Sequence, residues 1–91
     1  MSDLLSLGPN PFRDLIAIRL APPTPVPSTL EVFDIQGRRV KTLAEGEVFA
    51  APAILWWDGA DDYGEPCAPG VYLVTLRSSL LTVSARCVLV R

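Results

Sequence analysis

Histidine is absent from this 91-residue sequence. With it goes the side chain that most often gives or takes a proton near neutral pH. The residues left that could do chemistry form three sets: Asp58, Asp61 and Asp62; Cys67 and Cys87; and the adjacent pair Trp56 and Trp57. Clustered carboxylates suggest calcium, which takes oxygen ligands at alternating positions of a loop. Here Gly59 and Ala60 interrupt that stretch, so the spacing predicts turns in which Asp side chains bind their own backbone instead. The serines stand in turns without the Gly-x-Ser-x-Gly elbow of a hydrolase, and neither cysteine has an obvious activating partner. The expectation is a protein with no catalytic residues, no metal and no cofactor.

The tryptophans allow binding rather than reaction. Neighbours on a strand point to opposite faces, so one indole belongs to a core and the other lies outside it. The outer one either stacks on a ligand such as a sugar ring or lies flat across the sheet as a cover.

The elements that must position these residues are short. Residues 1–91 read as one domain, and a chain of this length buries roughly 60–65% of its unfolded surface. Apolar residues make up 49% of it and the mean hydropathy is +0.33. No stretch approaches the ~18 uninterrupted apolar residues of a membrane span. Nine prolines and six glycines cut the apolar content into pieces, the mark of strands joined by turns. Net charge is −2, and the basic residues cluster only at Arg38, Arg39 and Lys41. That argues against nucleic acid, which needs a basic stripe. Residues 1–7 lack the basic start and apolar length of a signal peptide. An exported protein would therefore carry its signal on a larger parent; a short cytosolic protein is the alternative.

Residues 4–7 form an apolar run stopped by Gly8-Pro9-Asn10-Pro11, since proline offers no N–H to a ladder. Phe12 anchors that turn. Along 15–20, Ile16, Ile18 and Leu20 face one way and Arg19 the other, the alternation of a half-buried strand. Four prolines make 21–27 an extended connection. Residues 30–35 form the next strand, with Leu30 and Val32 on one face and Phe33 and Ile35 on the other. Gln36-Gly37 turns the chain, 39–43 return as its partner, and 44–52 form a loop with room for a short edge strand at 47–49. A bulky strand at 53–57 and a region dense in turn formers at 58–69 follow.

The final hairpin, 71–76 with 82–90, allows its register to be derived. The more apolar face of the last strand is Val83, Ala85, Cys87 and Leu89. Tyr72, Val74 and Leu76 match it on the preceding strand. Antiparallel partners share a face, so a two-residue turn at Ser79-Leu80 pairs Leu76 with Val83, Val74 with Ala85 and Tyr72 with Cys87. A slip of one residue would drive Arg86 into the core. Cys67 lies five residues before the partner of Cys87, which puts the two on the order of 15 Å apart in an extended chain. A disulfide needs Cα atoms within about 7 Å, so the expectation is two free, buried thiols, unless the loop folds back. On the outer face Val71, Leu73, Val88 and Val90 form an apolar ridge, either a docking surface or the seat of the proline-rich connection.

Three motifs in fixed order carry a resemblance: Pro9-Asn10-Pro11-Phe12; Val32 to Val40, with Phe33, Asp34, Gly37 and Arg38; and Gly70-Val71-Tyr72 followed by the closing strand. Together they resemble the C-terminal sorting domains of the bacterial type IX secretion system. Trp57-Asp58-Gly59 and Asp62-Tyr63-Gly64-Glu65-Pro66 also look like a loop of the related Ig-like domain of flagellar hook-capping proteins. The resemblance implies an all-β fold, an Ig-like sandwich of about seven antiparallel strands. It implies a non-catalytic address at the C-terminus of a cargo protein, read by the outer-membrane secretion machinery and its processing peptidase, with the cargo domain N-terminal to it. The destination implied is the cell surface or the medium. The recognition residues implied are Asp34, Gly37, Arg38 and Arg39 in one turn, and Gly70, Val71, Tyr72, Arg86, Val88, Val90 and Arg91 in the last strands. Cys67 and Cys87 stand where that family more often has aliphatic residues. Two rivals remain: an Ig-like assembly domain of the hook-capping kind, and a carbohydrate-binding module using an exposed tryptophan.

Overall fold

A computed structural model describes residues 4–22, 24–50 and 52–91. Residues 1–3, Pro23 and Ala51 fall in the N-terminal stretch, the proline-rich connection and the 44–52 loop, and lie outside the described residues.

Seven strands form two antiparallel sheets: β1 (Leu5–Gly8), β2 (Ile16–Leu20), β3 (Pro27–Asp34), β4 (Arg39–Val48), β5 (Ala53–Trp57), β6 (Gly70–Ser78) and β7 (Thr82–Leu89). One sheet has the order β1-β2-β5 and the other β4-β3-β6-β7. This is the expected all-β, Ig-like sandwich. Alternation explains which sides meet. Ile16, Ile18 and Leu20 of β2, Leu30 and Val32 of β3, Val74 and Leu76 of β6, and Cys87 and Leu89 of β7 are all buried. Trp57 fills the centre, its ring 5.5 Å from Phe12 and 5.2 Å from Tyr72. The final hairpin has the register derived above: Leu76 opposite Val83, Val74 opposite Ala85 and Tyr72 opposite Cys87.

Three details bear on the expectations, two as corrections and one as a choice left open. First, β4 does not end at Leu43; it runs on to Val48, so 47–49 is no separate edge strand. Its pairing with β3 shifts register repeatedly, and Gly46 adopts φ +63°. A left-handed glycine bends an edge strand without breaking it. Second, β3 starts at Pro27, inside the expected connection, and ends at Asp34, so Ile35 belongs to a turn and is 73% exposed. Third, of the two readings left open for the Val71–Val88 ridge, a seat for the proline-rich connection is not what the described residues form. Pro22, Thr24 and Val26 line a depression with Leu76, Ser78 and Leu80, at the other end of the β6–β7 hairpin.

Two of the outer edges are tied off by polar side chains. Beside β7, Asn10 accepts from the Val88 N–H (2.9 Å) and donates to the Arg86 carbonyl (3.1 Å). Phe12 continues the pairing, donating to the Val88 carbonyl and accepting from the Val90 N–H, each at 2.9 Å. Beside β4, the Asp62 N–H donates to the Val40 carbonyl and its carboxylate accepts from the Thr42 N–H, both at 3.0 Å. Edges closed in this way are poor templates for further strand pairing.

Candidate functional site

The second motif ends in a turn built on Asp34. Its carboxylate accepts the N–H groups of Gln36 (2.9 Å) and Arg38 (3.0 Å) and the Arg38 Nε–H (2.9 Å). The Asp34 N–H donates to the Arg38 carbonyl, and Gly37 donates back to the Asp34 carbonyl. Gly37 supplies φ +84°, which a side-chain-bearing residue adopts only with strain. The Arg38 backbone N–H is the largest cause holding the Asp34 carboxyl below its usual range; partial burial opposes it, and the Arg38 side chain and the Gln36 N–H add to it.

The Asp-rich loop repeats this construction. Asp61 accepts from the N–H groups of Tyr63 (2.9 Å) and Glu65 (3.0 Å). Its own N–H donates to the Glu65 carbonyl, and Gly64, at φ +82°, donates to the Asp61 carbonyl. Both segments read Asp-x-x-Gly-x, and in both the carboxylate bonds the second and fourth N–H groups after it. The two turns stand side by side, because Asp62 straps the second to β4 at Val40 and Thr42. The loop's root is fixed by Trp57, whose indole N–H donates to the Ala60 carbonyl (2.8 Å). Arg91 closes it, donating to the carbonyls of Cys67 (2.9 Å) and Gly59 (3.3 Å).

A polar groove of about 290 Å³ lies between the turns, lined by Asp34, Arg38, Arg39, Asp61, Asp62 and Tyr63. A second, of about 230 Å³, lies on the far side of Arg38, against Ile35, Pro69 and Gly70. Arg38 is thus shared by both. Its Nε is spent on Asp34, while its terminal nitrogens have no protein acceptor among the described residues. Asp61 takes its two N–H groups on a single oxygen and Asp62 takes one, while Asp34 divides its bonds between the backbone and the Arg38 side chain. Two apolar side chains stand out from this polar ground, Ile35 and Tyr63, the latter 91% exposed. Neither packs in the core.

Of the residues expected to carry recognition, Asp34, Gly37, Arg38, Arg39, Gly70, Val71 and Tyr72 gather at this end of the sandwich. Tyr72 lies in the core, and its hydroxyl donates to the Ala68 carbonyl. Arg39 leans back over the sheet towards Glu31 (3.5 Å), which also takes Arg77 (3.1 Å). Arg86 and Val88 belong to the β7 edge, and Val90 directly follows it. Main-chain groups of all three are already bonded to residues 10–12, so that part of the edge is not open to a receptor strand. Arg91 braces the loop. Ile35 and Tyr63 were not singled out by sequence reasoning. The repeated Asp-x-x-Gly spacing is the signal that points to them.

Both thiols are free, Cys87 buried and Cys67 half-buried. Burial pushes Cys87 up to about 11. Cys67 is raised by burial first and by the Asp61 carboxylate second. Both are protonated near neutral pH and pack as small apolar groups.

Among the solved structures that share this fold are two from one organism. One is PorZ, described as an essential bacterial surface component of the type IX secretion system of Porphyromonas gingivalis. It aligns with 98% of this chain and 12% of its own, at 21% identity and a TM-score of 0.71. The other is dimeric latent PorU from the same organism, with 94% of this chain and 9% of its own, 21% identity and a TM-score of 0.69. The chain therefore spans about a tenth of the length of either. No curated protein matches it. The family model of the FlgD Ig-like domain matches residues 13–80, well over half of the sequence, and the chain belongs to that family.

Proposed function

We propose that this Ig-like domain is a non-catalytic address module, carried by an exported bacterial protein and read by a type IX secretion apparatus at the cell envelope. The observation that carries the reading is the pair of Asp-x-x-Gly turns. They hold Ile35, Arg38 and Tyr63 in fixed positions at one end of the sandwich, where Ile35 and Tyr63 do no packing work. Exposed aromatic, aliphatic and arginine side chains on a rigid frame are what protein interfaces use as anchors. The likeness to PorZ and PorU supports the reading because it runs over 98% and 94% of the chain, whereas the FlgD match stops at residue 80, before β7. The parent cargo would lie N-terminal to the module, with the surface or the medium as destination.

The test is an export assay in a bacterium with a type IX system. The chain is fused behind a signal peptide and a reporter. The wild type should reach the surface or medium, and the triple variant Ile35→Asp, Arg38→Glu, Tyr63→Asp should stay in the periplasm with an unchanged melting temperature. Export of the folded variant at the wild-type level, or retention of the wild type in two hosts, would refute the address. The family match itself favours a second reading, an assembly domain of the hook-capping kind. That reading predicts concentration-dependent self-association and no effect of the three substitutions on export.

A further inference from the structure

The outer face of the β1-β2-β5 sheet has no part in the address reading, yet it is built unlike a plain solvent face. Across it run two rows. In one, Ala17 is flanked by Gly8 and Trp56; in the next, Arg19 is flanked by Ser6 and Ile54. Ala17 points away from the core but is only 3% exposed. Its neighbours in the row are Gly8, which has no side chain, and the Trp56 indole. Trp56 stands beside Ala17 on this outer face, and the residue is 54% exposed. A Cβ added at Gly8 would meet no atom within 4 Å, so the β1 end of this row is open. One step along the strands, Ser6, Arg19 and Ile54 edge an open depression of about 320 Å³. Arg19 is exposed, and no carboxylate pairs with it among the described residues. The chain carries a net negative charge, but the outward positions of these two rows hold one charge and it is positive.

We propose that this face binds a polysaccharide chain bearing carboxylates, a uronate-type glycan. A pyranose ring has an apolar face that stacks on an indole and a rim of hydroxyls that needs polar partners. Trp56 offers the platform, and the open space over Gly8 leaves room at the other end of the row. Arg19, two residues along β2 from Ala17 and so roughly 7 Å away, reaches the neighbouring sugar. Its planar fork takes a carboxylate through two parallel hydrogen bonds, and Ser6 beside it takes a hydroxyl. A protein partner would find few backbone groups to pair with on the face of a sheet. The unpaired guanidinium favours an acidic ligand over a neutral one.

The molecule supplies its own reporter. Trp57 is fully buried, so a change in indole emission on adding a ligand that leaves the fold intact reports Trp56. The intact chain is titrated with oligogalacturonate and with the same oligomer methyl-esterified to remove its charge. A saturable shift with the acid form is expected, at least about tenfold weaker with the ester, the loss of one charged contact. Arg19→Ala should weaken acid binding to the level of the ester. Gly8→Val, which fills the open space over β1 while keeping Trp56, should weaken the binding. Binding of the Trp56→Ala variant is followed by calorimetry and should be lost with the fold retained in its circular dichroism spectrum. Absence of a saturable shift, equal affinity for acid and ester, or undiminished binding by Trp56→Ala would each overturn the proposal.

Discussion

Tyr72 lies in the stretch that the resemblance marks for recognition, yet its work is internal. Its ring packs against Trp57 at 5.2 Å, stands opposite Cys87, and its hydroxyl ties down the Ala68 carbonyl. Arg38, in the same stretch, is the reverse case: its side chain is three-quarters exposed, and its one ion pair, with Asp34, is a surface pair. Such pairs contribute about 0–1 kcal/mol, and the Arg38 backbone N–H that Asp34 needs survives truncation of the side chain. Tyr72→Ala should therefore cost about 3–5 kcal/mol, and Arg38→Ala should stay within about 0.5 kcal/mol. Chemical denaturation of the two variants decides this. Equal losses would mean that the division between buried support and exposed recognition is wrong.

At the scale of elements, glycine positions separate turns that carry the core from turns that only present side chains. Gly37 has φ +84°, with nothing within 4 Å of the place a Cβ would take. Gly37→Ala then costs only the conformational strain, about 1 kcal/mol. Gly59 has φ +77°, and its Cβ would come 3.3 Å from Leu89 Cδ1 and 3.5 Å from the Arg91 guanidinium. Gly59→Ala adds overpacking to strain and should cost about 2–4 kcal/mol. Urea midpoints that placed Gly37→Ala as the costlier change would refute this ordering. The same distinction explains what the sequence makes legible. The β6–β7 register follows from alternation and a two-residue turn, because any slip would bury Arg86. The split of Trp56 from Trp57 follows from strand parity alone. The length of β4 does not, because Glu45, Gly46 and Glu47 on an edge strand carry no alternation, and the left-handed glycine that keeps the strand going reads like a turn. Ile35 reads as one more strand residue because it follows Phe33 at strand spacing. Tyr63 sits in a loop whose partner turn is remote in sequence. Only the strap from Asp62 to Val40 and Thr42 makes the two turns one surface.

For the whole molecule, the closing strand is both a proposed part of the address and a wall of the core. Residues 82–91 supply β7 with its buried Cys87 and Leu89. They hold Asn10 and Phe12 in place through Arg86, Val88 and Val90, and they bring Arg91 to the root of the Asp-rich loop. Deleting them would bare the inner faces of Tyr72, Val74 and Leu76 and strip β6 of one partner. A chain of this size has a total stability of about 5–10 kcal/mol. Losing a single large buried side chain already costs about 2–5 kcal/mol, so the shortened chain should show no cooperative melting transition and no near-ultraviolet signal from the packed Trp57. Removing Arg91 alone takes away two hydrogen bonds from a charged donor. It should cost about 1–3 kcal/mol and leave a cooperative transition at a lower temperature. If the chain lacking 82–91 still melts cooperatively, β7 is an appendage to the sandwich, and export lost on its deletion would locate the address in the strand itself. If it does not, a truncation that blocks export has removed the fold together with the address. Only folded variants such as the turn substitutions at Ile35, Arg38 and Tyr63 can then separate the two.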